Sequence, residues 1–159
     1  MPFLIDGYNL LRFVQKLDAY ADLTDVQLCR YLADFLRAVR DRGTIIFDGI
    51  GPPDKRELMN IRGLEIRFSG EKTDADSCIE VKIEDNTAPK RLVVVSSDRR
   101  LRTAAVRRKA KSVPVDVFWP ALCKALDSGP KIAPEPQEKR KGVTDREALL
   151  WMDYFDLDK

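Results

Sequence analysis

Apolar residues along the chain fall into two alternating rhythms. Phe3, Leu4 and Ile5 form a short apolar run near the N-terminus, and Thr44, Ile45, Ile46 and Phe47 form a second, rich in β-branched residues. Leu64, Glu65, Ile66, Arg67 and Phe68 alternate with period two, as a strand nearer a sheet edge does. Leu92, Val93, Val94 and Val95 form the clearest buried strand, and residues 113–118 supply a fifth. Between the first two strands, Leu28, Leu32, Phe35, Leu36 and Val39 recur at helical spacing, opened by the capping pair Thr24 and Gln27 and closed by Gly43. Further helices are predicted over 74–85 with Thr73 as N-cap, over 99–111, and over 120–126 with Pro120 in the first turn, stopping at Ser128, Gly129 and Pro130. Such alternation with short loops implies a parallel sheet with helices on both faces, an open α/β domain over residues 1–129.

Composition shifts after Gly129. Pro130, Pro134 and Pro136 stand among Lys, Glu and Gln with almost nothing apolar to bury, so residues 130–142 read as a flexible linker. Residues 143–159 read as a short amphipathic helical tail, in which the capping pair Thr144 and Glu147 precedes Leu149, Leu150, Trp151, Tyr154, Phe155 and Leu157. Its apolar face either docks on the domain or awaits a protein or ribosome partner, and its net charge of −3 disfavours direct RNA contact. No internal repeat is visible.

With 159 residues, the chain suits one domain with a sizeable core rather than two. It contains no histidine, which removes the commonest general base, Ser-His and Cys-His nucleophile pairs, and His-containing zinc sites. Cys29, Cys78 and Cys123 are widely spaced in apolar surroundings and read as small hydrophobes in a reducing compartment. No apolar run approaches the roughly 20 residues of a membrane span, and the N-terminus lacks signal-peptide order. A cytoplasmic, soluble protein is expected. Net charge is +2, yet residues 90–124 carry ten basic residues against Asp98 and Asp116, leaving −6 for the rest. That asymmetry is either the footprint of a polyanion binder or a solvated helix face.

Acids fall where the strands end. Asp6 follows the first strand, Asp48 the second, and Asp98 the fourth after two serines; Asp74 and Asp76 open the helix after the third strand, with Glu80 one turn beyond Asp76. One Asp after a strand reads as an N-cap or a turn former. Repeated at three strand ends of an open α/β sheet, the acids converge on the edge where ligands bind. Converging carboxylates repel, and Mg²⁺ or Mn²⁺ is the natural neutraliser, held by one or two carboxylates and leaving positions for water and phosphate. An ion held this way supports phosphodiester hydrolysis without histidine. Arg99, Arg100 and Arg102 directly follow Asp98 and would attract phosphates beside the acidic pocket, which points to nucleic acid cleavage.

The stretch Ile5-Asp6-Gly7-Tyr8-Asn9-Leu10, then Phe47-Asp48-Gly49, then Thr73-Asp74-Ala75-Asp76 with Ile79-Glu80, then Ser96-Ser97-Asp98-Arg99-Arg100-Leu101, resembles the NYN branch of PIN-like nucleases, specifically the YacP-like group, over residues 1–127. The resemblance implies a five-stranded PIN-like sheet of order 3-2-1-4-5, a divalent-metal centre and RNA as substrate, with some relatives acting at the ribosome. It implies that Asp6, Asp76, Asp98 and Asp48 are the catalytic acids, of which Asp6, Asp76 and Asp98 hold metal directly or through water and Asp48 ends the second strand. By the same resemblance Asn9 positions Asp6 or a phosphate, Ser96 bonds near the metal waters, and Glu80 is a supporting acid. The expected activity is a metal-dependent endoribonuclease engaged in ribosome-linked mRNA or rRNA turnover. Its rivals are an RNA-binding or ribosome-associated module without turnover, and a phosphoaspartate phosphatase or receiver domain. The last needs a paired Asp beside the nucleophile and a Lys after a later strand, which Asp6-Gly7-Tyr8 and Ser97-Asp98-Arg99 do not supply.

Overall fold

The computed structural model describes residues 2–128. Strands β1 (Phe3–Asp6), β2 (Gly43–Phe47), β3 (Leu64–Phe68), β4 (Val93–Val95) and β5 (Lys111–Val113) form one parallel sheet in the order β3-β2-β1-β4-β5. Helices α1 (Gly7–Gln15), α2 (Asp25–Ala38), α3 (Arg56–Met59), α4 (Ala75–Glu84), α5 (Arg99–Arg107) and α6 (Val115–Ser128) connect or flank the strands. The expected fold class and strand order are therefore observed. The linker 130–142 and the helical tail 143–159 lie outside the described residues. Among the described residues no helix is long and apolar enough to cross a membrane.

Strand side chains divide by parity between two cores. Phe3, Ile5, Ile45, Phe47, Val93 and Val95 face α1, α2 and α6, where Leu10, Val14, Leu32, Phe35, Phe118 and Leu122 complete the larger core. Leu4, Ile46 and Val94 face α4 and α5, closed by Ile79, Ile83, Leu101, Ala104 and Ala105. The central strands are apolar on both faces, which is why they read as continuous runs. After β3 the chain crosses to the other side of β1 to lay down β4, so strand order reverses between β1 and β4, and a crevice opens beyond their C-terminal ends.

Four expectations shift. Helix α1 starts directly after β1 with no loop, and its buried Gly7, Leu10, Leu11 and Val14 keep helical spacing inside a stretch read only as a motif. The fifth strand is Lys111–Val113 rather than 113–118, and Val115, Phe118, Trp119 and Leu122 instead pack as a helix that begins after Pro114 and carries Pro120 in its interior. The C=O of Pro114 accepts the first helical bonds, from the N–H groups of Val117 and Phe118. Asp74, not Thr73, caps α4, accepting the Ser77 N–H at 2.7 Å. Finally, α2 and α5 end on left-handed non-glycine residues, Arg40 (φ 56°) and Lys109 (φ 61°), leaving Gly43 to open β2 and stopping α5 at Arg107. Each terminus is closed by a backbone bond, Asp41 N–H to Leu36 O and Ala110 N–H to Ala105 O, both 2.9 Å.

Gly7 holds the junction of β1 and α1 against β2. A Cβ there would lie 2.5 Å from the Phe47 ring and 2.9 Å from the Ile46 carbonyl oxygen. Gly7→Ala is expected to destabilise the fold by about 1–3 kcal/mol through overpacking, read by urea denaturation; an unchanged midpoint would contradict this packing.

Candidate active site

The reversal of strand order brings the first and fourth strand ends together. Asp6 ends β1 and is 7% exposed; Ser96 follows β4 and is 1% exposed. The Ser96 hydroxyl donates to Asp6 Oδ2 at 3.2 Å and accepts the Asp98 N–H at 3.0 Å, joining the two acids through one buried side chain. Asp98 caps α5, its Oδ1 accepting the N–H groups of Arg100 (2.8 Å) and Leu101 (3.3 Å). Asn9, one turn into α1, accepts the Ser97 N–H at 2.9 Å, and the Ser97 hydroxyl accepts the Val115 N–H at 3.0 Å. The paired serines therefore fix the β4–α5 loop against β1, α1 and α6.

On the other side of the crevice, Asp48 directly follows β2 and anchors α4. Its Oδ1 accepts the Ser69 hydroxyl and the Ala75 N–H, each at 3.1 Å, and the Ser69 hydroxyl in turn accepts the Gly49 N–H at 2.9 Å. That tether sets the first turn of α4, which carries Asp76.

The electrostatics link these groups. Burial, followed by the charge of Asp76, pushes the Asp6 pKa up to about 6; the Asn9 backbone N–H and the Ser96 hydroxyl pull it down, and Asp98 adds a smaller upward push. Asp76 is also raised, by burial first and then by Asp98, Asp74 and Asp48, with Arg100 opposing. Among the described residues no lysine or arginine forms an ion pair with Asp6, Asp76 or Asp98. Asp6 and Asp76 thus feel neighbouring carboxylate charge with no direct ion pair to offset it.

Glu80 turns elsewhere. It receives Arg100 in a two-pronged pair, Nε to Oε1 at 2.9 Å and Nη2 to Oε2 at 2.6 Å. Arg107 donates one hydrogen bond to Glu84 Oε1, and Arg108, just past the end of α5, lies 3.8 Å from Glu84 Oε2 as a looser ion pair. Part of the strongly basic segment is therefore neutralised by the acids of α4, which no count along the sequence exposes. Arg99 and Arg102 are exposed and make no ion pair among the described residues.

Among the described residues no group of three Asp, Glu, Cys or His side chains is disposed to hold a metal ion by itself. The donors that do gather are all oxygens, with no histidine in the chain. That set suits a hard cation such as Mg²⁺, which keeps several waters and takes one or two carboxylates, rather than one that needs a full protein cage. Sequence reading gave no role to Ser69, to Ser97 or to the α1 residues beyond Asn9. Ser69 carries no periodic or motif signal, Ser97 lies inside a recognisable motif that does not reveal its partner, and the helical spacing of α1 is obscured by its lack of a preceding loop.

The sheet order, with acids gathered where it reverses, defines an open doubly wound α/β domain with its candidate site beyond β1 and β4. The chain belongs to the YacP-like NYN domain family, a group of PIN-like nucleases, whose model matches residues 3–149, past the boundary expected after residue 129. Two solved structures of Rae1 (YacP) from Bacillus subtilis share the fold at 19% identity. One superposes with a TM-score of 0.63, covering 79% of this chain and 75% of that one. The other, a W164L mutant, gives 0.59 with 78% and 76% covered. Comparison with curated proteins finds no match.

Two outcomes follow for stability. The folded state holds a proton on Asp6 up to about pH 6, whereas an unfolded Asp releases it near 3.8. The folded state is therefore the better proton binder between these values, and stability from this group falls as pH rises through that window. Asp6→Asn is expected to be more stable than wild type above pH 7, by up to about 3 kcal/mol, with the gain disappearing by about pH 4. Thermal melts across pH check this; a pH-independent difference would contradict it. For Asp48, Asn keeps the accepting Oδ1 and Ala removes it, so Asp48→Ala is expected to lose about 1–3 kcal/mol in denaturant melts and Asp48→Asn much less.

Proposed function

We propose that this chain is a divalent-metal-dependent endoribonuclease that hydrolyses RNA phosphodiesters, using Mg²⁺ or Mn²⁺ held by Asp6, Asp76 and Asp98. The observation that carries this reading is the raised Asp6 carboxyl, buried at the reversal of strand order under the charges of Asp76 and Asp98, with no basic partner. Like charges held this way are stabilised when a cation arrives, and their cost in its absence is characteristic of a binding site. The bound ion would lower the pKa of a water and offset charge on the scissile phosphate.

The remaining roles belong to the chain. Ser96 orients Asp6 through its hydroxyl and holds the Asp98 backbone, so the two acids keep a fixed spacing. Asn9 fixes the β4–α5 loop through Ser97 and stands beside the crevice, where its amide can also meet a phosphate. Asp48 holds α4 and with it Asp76, as a positioning residue. Arg99 and Arg102 offer charge to the RNA backbone, while Arg100 is engaged by Glu80, and both members of that pair support α4 and α5 more than substrate. Residues 130–142 serve as a linker in this reading, and 143–159 as a contact for a protein or the ribosome in cytoplasmic RNA turnover.

A second reading, an RNA-binding or ribosome-associated module without turnover, draws on the lack of a ready three-carboxylate cage among the described residues. Cleavage of end-labelled RNA separates the two. With Mn²⁺ the wild type is expected to release internal fragments, chelator to stop them, and Asp6→Asn and Asp98→Asn each to lose about 100-fold or more in rate while still binding RNA. Truncation after residue 129 is expected to leave cleavage of short naked RNA unchanged. Binding without any fragments in Mn²⁺ or Mg²⁺ would establish the second reading instead.

A further inference from the structure

Two grooves flank the β4–α5 loop, and their cations differ in availability. One is lined by Glu80, Asp98, Arg99, Arg100, Thr103 and Arg107, and in it Arg100 and Arg107 are already paired with Glu80 and Glu84. The other, of about 630 Å³, starts at Asn9 and Ser97 and runs between α1, α5 and the start of α6. Arg12, Lys16 and Arg102 stand on its rim, all exposed and none in an ion pair among the described residues. Asp116 is the one acid in its lining. Its floor holds half-buried Phe13 and Pro114 beside buried Val115. Arg12 also lies over the Tyr8 ring, 5.8 Å from its centroid, and that ring meets Phe47 at 5.1 Å, so the guanidinium has an aromatic support rather than an acidic one.

We propose that this second groove is the track for single-stranded RNA on one side of the cleaved bond, with phosphates on Arg12, Lys16 and Arg102 and bases against the apolar floor around Phe13. The inference rests on the nuclease reading and adds to it which strand form binds and where. A cationic rim over an apolar floor matches a single strand, whose phosphates and unstacked base faces are both accessible; a duplex hides those faces. The groove begins at the two residues, Asn9 and Ser97, whose hydrogen bond fixes the loop carrying Asp98, so a strand lying in it leads directly to the acids. Arg102, singled out beside Arg99 and Arg100 from its place in the sequence, belongs to this track, and Arg12 and Lys16 join it only because α1 folds where no helix was expected.

The test compares full-length wild type with Arg12→Gln/Lys16→Gln and with Arg42→Gln/Arg91→Gln. The last pair removes the same charge from exposed residues just before β2 and β4, at the opposite edge of the sheet. Binding of fluorescein-labelled U-rich and A-rich 12-mers, and of a 12-base-pair RNA duplex, is measured in chelator across a salt series. The groove variant is expected to bind both single strands severalfold more weakly, with a salt slope reduced by about 0.7 for each phosphate that is no longer neutralised, and the control to match wild type. In the Mn²⁺ cleavage assay the groove variant is expected to raise KM and leave kcat near wild type. Equal affinity and slope in the two double variants, or tighter binding of the duplex, would overturn the track. Because binding is read in chelator, loss of the groove effect with cleavage intact overturns this inference alone. Absence of cleavage with the groove effect intact overturns the nuclease reading alone.

Discussion

The hydrogen bond from Ser96 to Asp6 spans the point at which the sheet reverses its order, and the site is built outward from it. Parallel strands β1 and β4 are neighbours only because the chain crosses over after β3, so two acids 92 residues apart in sequence end on one crevice. One serine hydroxyl then serves both, donating to Asp6 and accepting from the backbone of Asp98. A buried carboxylate needs such a donor, since burial without one is costly. Even so, burial and the Asp76 charge dominate, and the Asp6 carboxyl stays well above its ordinary range.

That residual strain is what supports the proposed chemistry. A structure selected for stability alone would pair Asp6 and Asp76 with basic residues, and basic residues are abundant nearby. They are directed elsewhere: Arg100 to Glu80, Arg107 and Arg108 to Glu84, all on the outer surfaces of α4 and α5. These exposed pairs contribute little to stability individually. Their consequence is that no guanidinium forms an ion pair with Asp6, Asp76 or Asp98 among the described residues, although the Arg100 charge still acts on Asp76 from its place against Glu80. Asp48 shows a different use of the same residue type at an equivalent strand end: its carboxylate is taken up by Ser69 and the start of α4, so it shapes the crevice from outside.

Much of this was legible in the sequence. Apolar runs at 3–5, 44–47 and 92–95 mark strands buried on both faces, and the Thr24–Gln27 capping box forms as expected. What escaped has particular causes. Val113, Val115 and Val117 satisfy period two while Val115, Phe118, Trp119 and Leu122 satisfy helical spacing, and burial against α2 and β1 decides for helix. Helix α1 has no loop before it because Gly7 allows the backbone to turn directly against Phe47. The left-handed ends at Arg40 and Lys109 lack the glycine that would announce them. At the site, acids at strand ends were readable one by one, but which of them keep a free carboxylate depends on partners such as Ser69 that come from other strands.

The central claim is that Asp6, Asp76 and Asp98 form one cation site. A crystal structure of the protein soaked in Mn²⁺, with anomalous scattering to locate the ion, tests it directly. The expected result is a Mn²⁺ ion in the crevice beyond β1 and β4, touching carboxylate oxygens of Asp6 and of Asp76 or Asp98, directly or through one water, with water filling its other positions. An ordered Mn²⁺ elsewhere with this crevice empty, or a lysine or arginine side chain moved in to pair with Asp6, would contradict it.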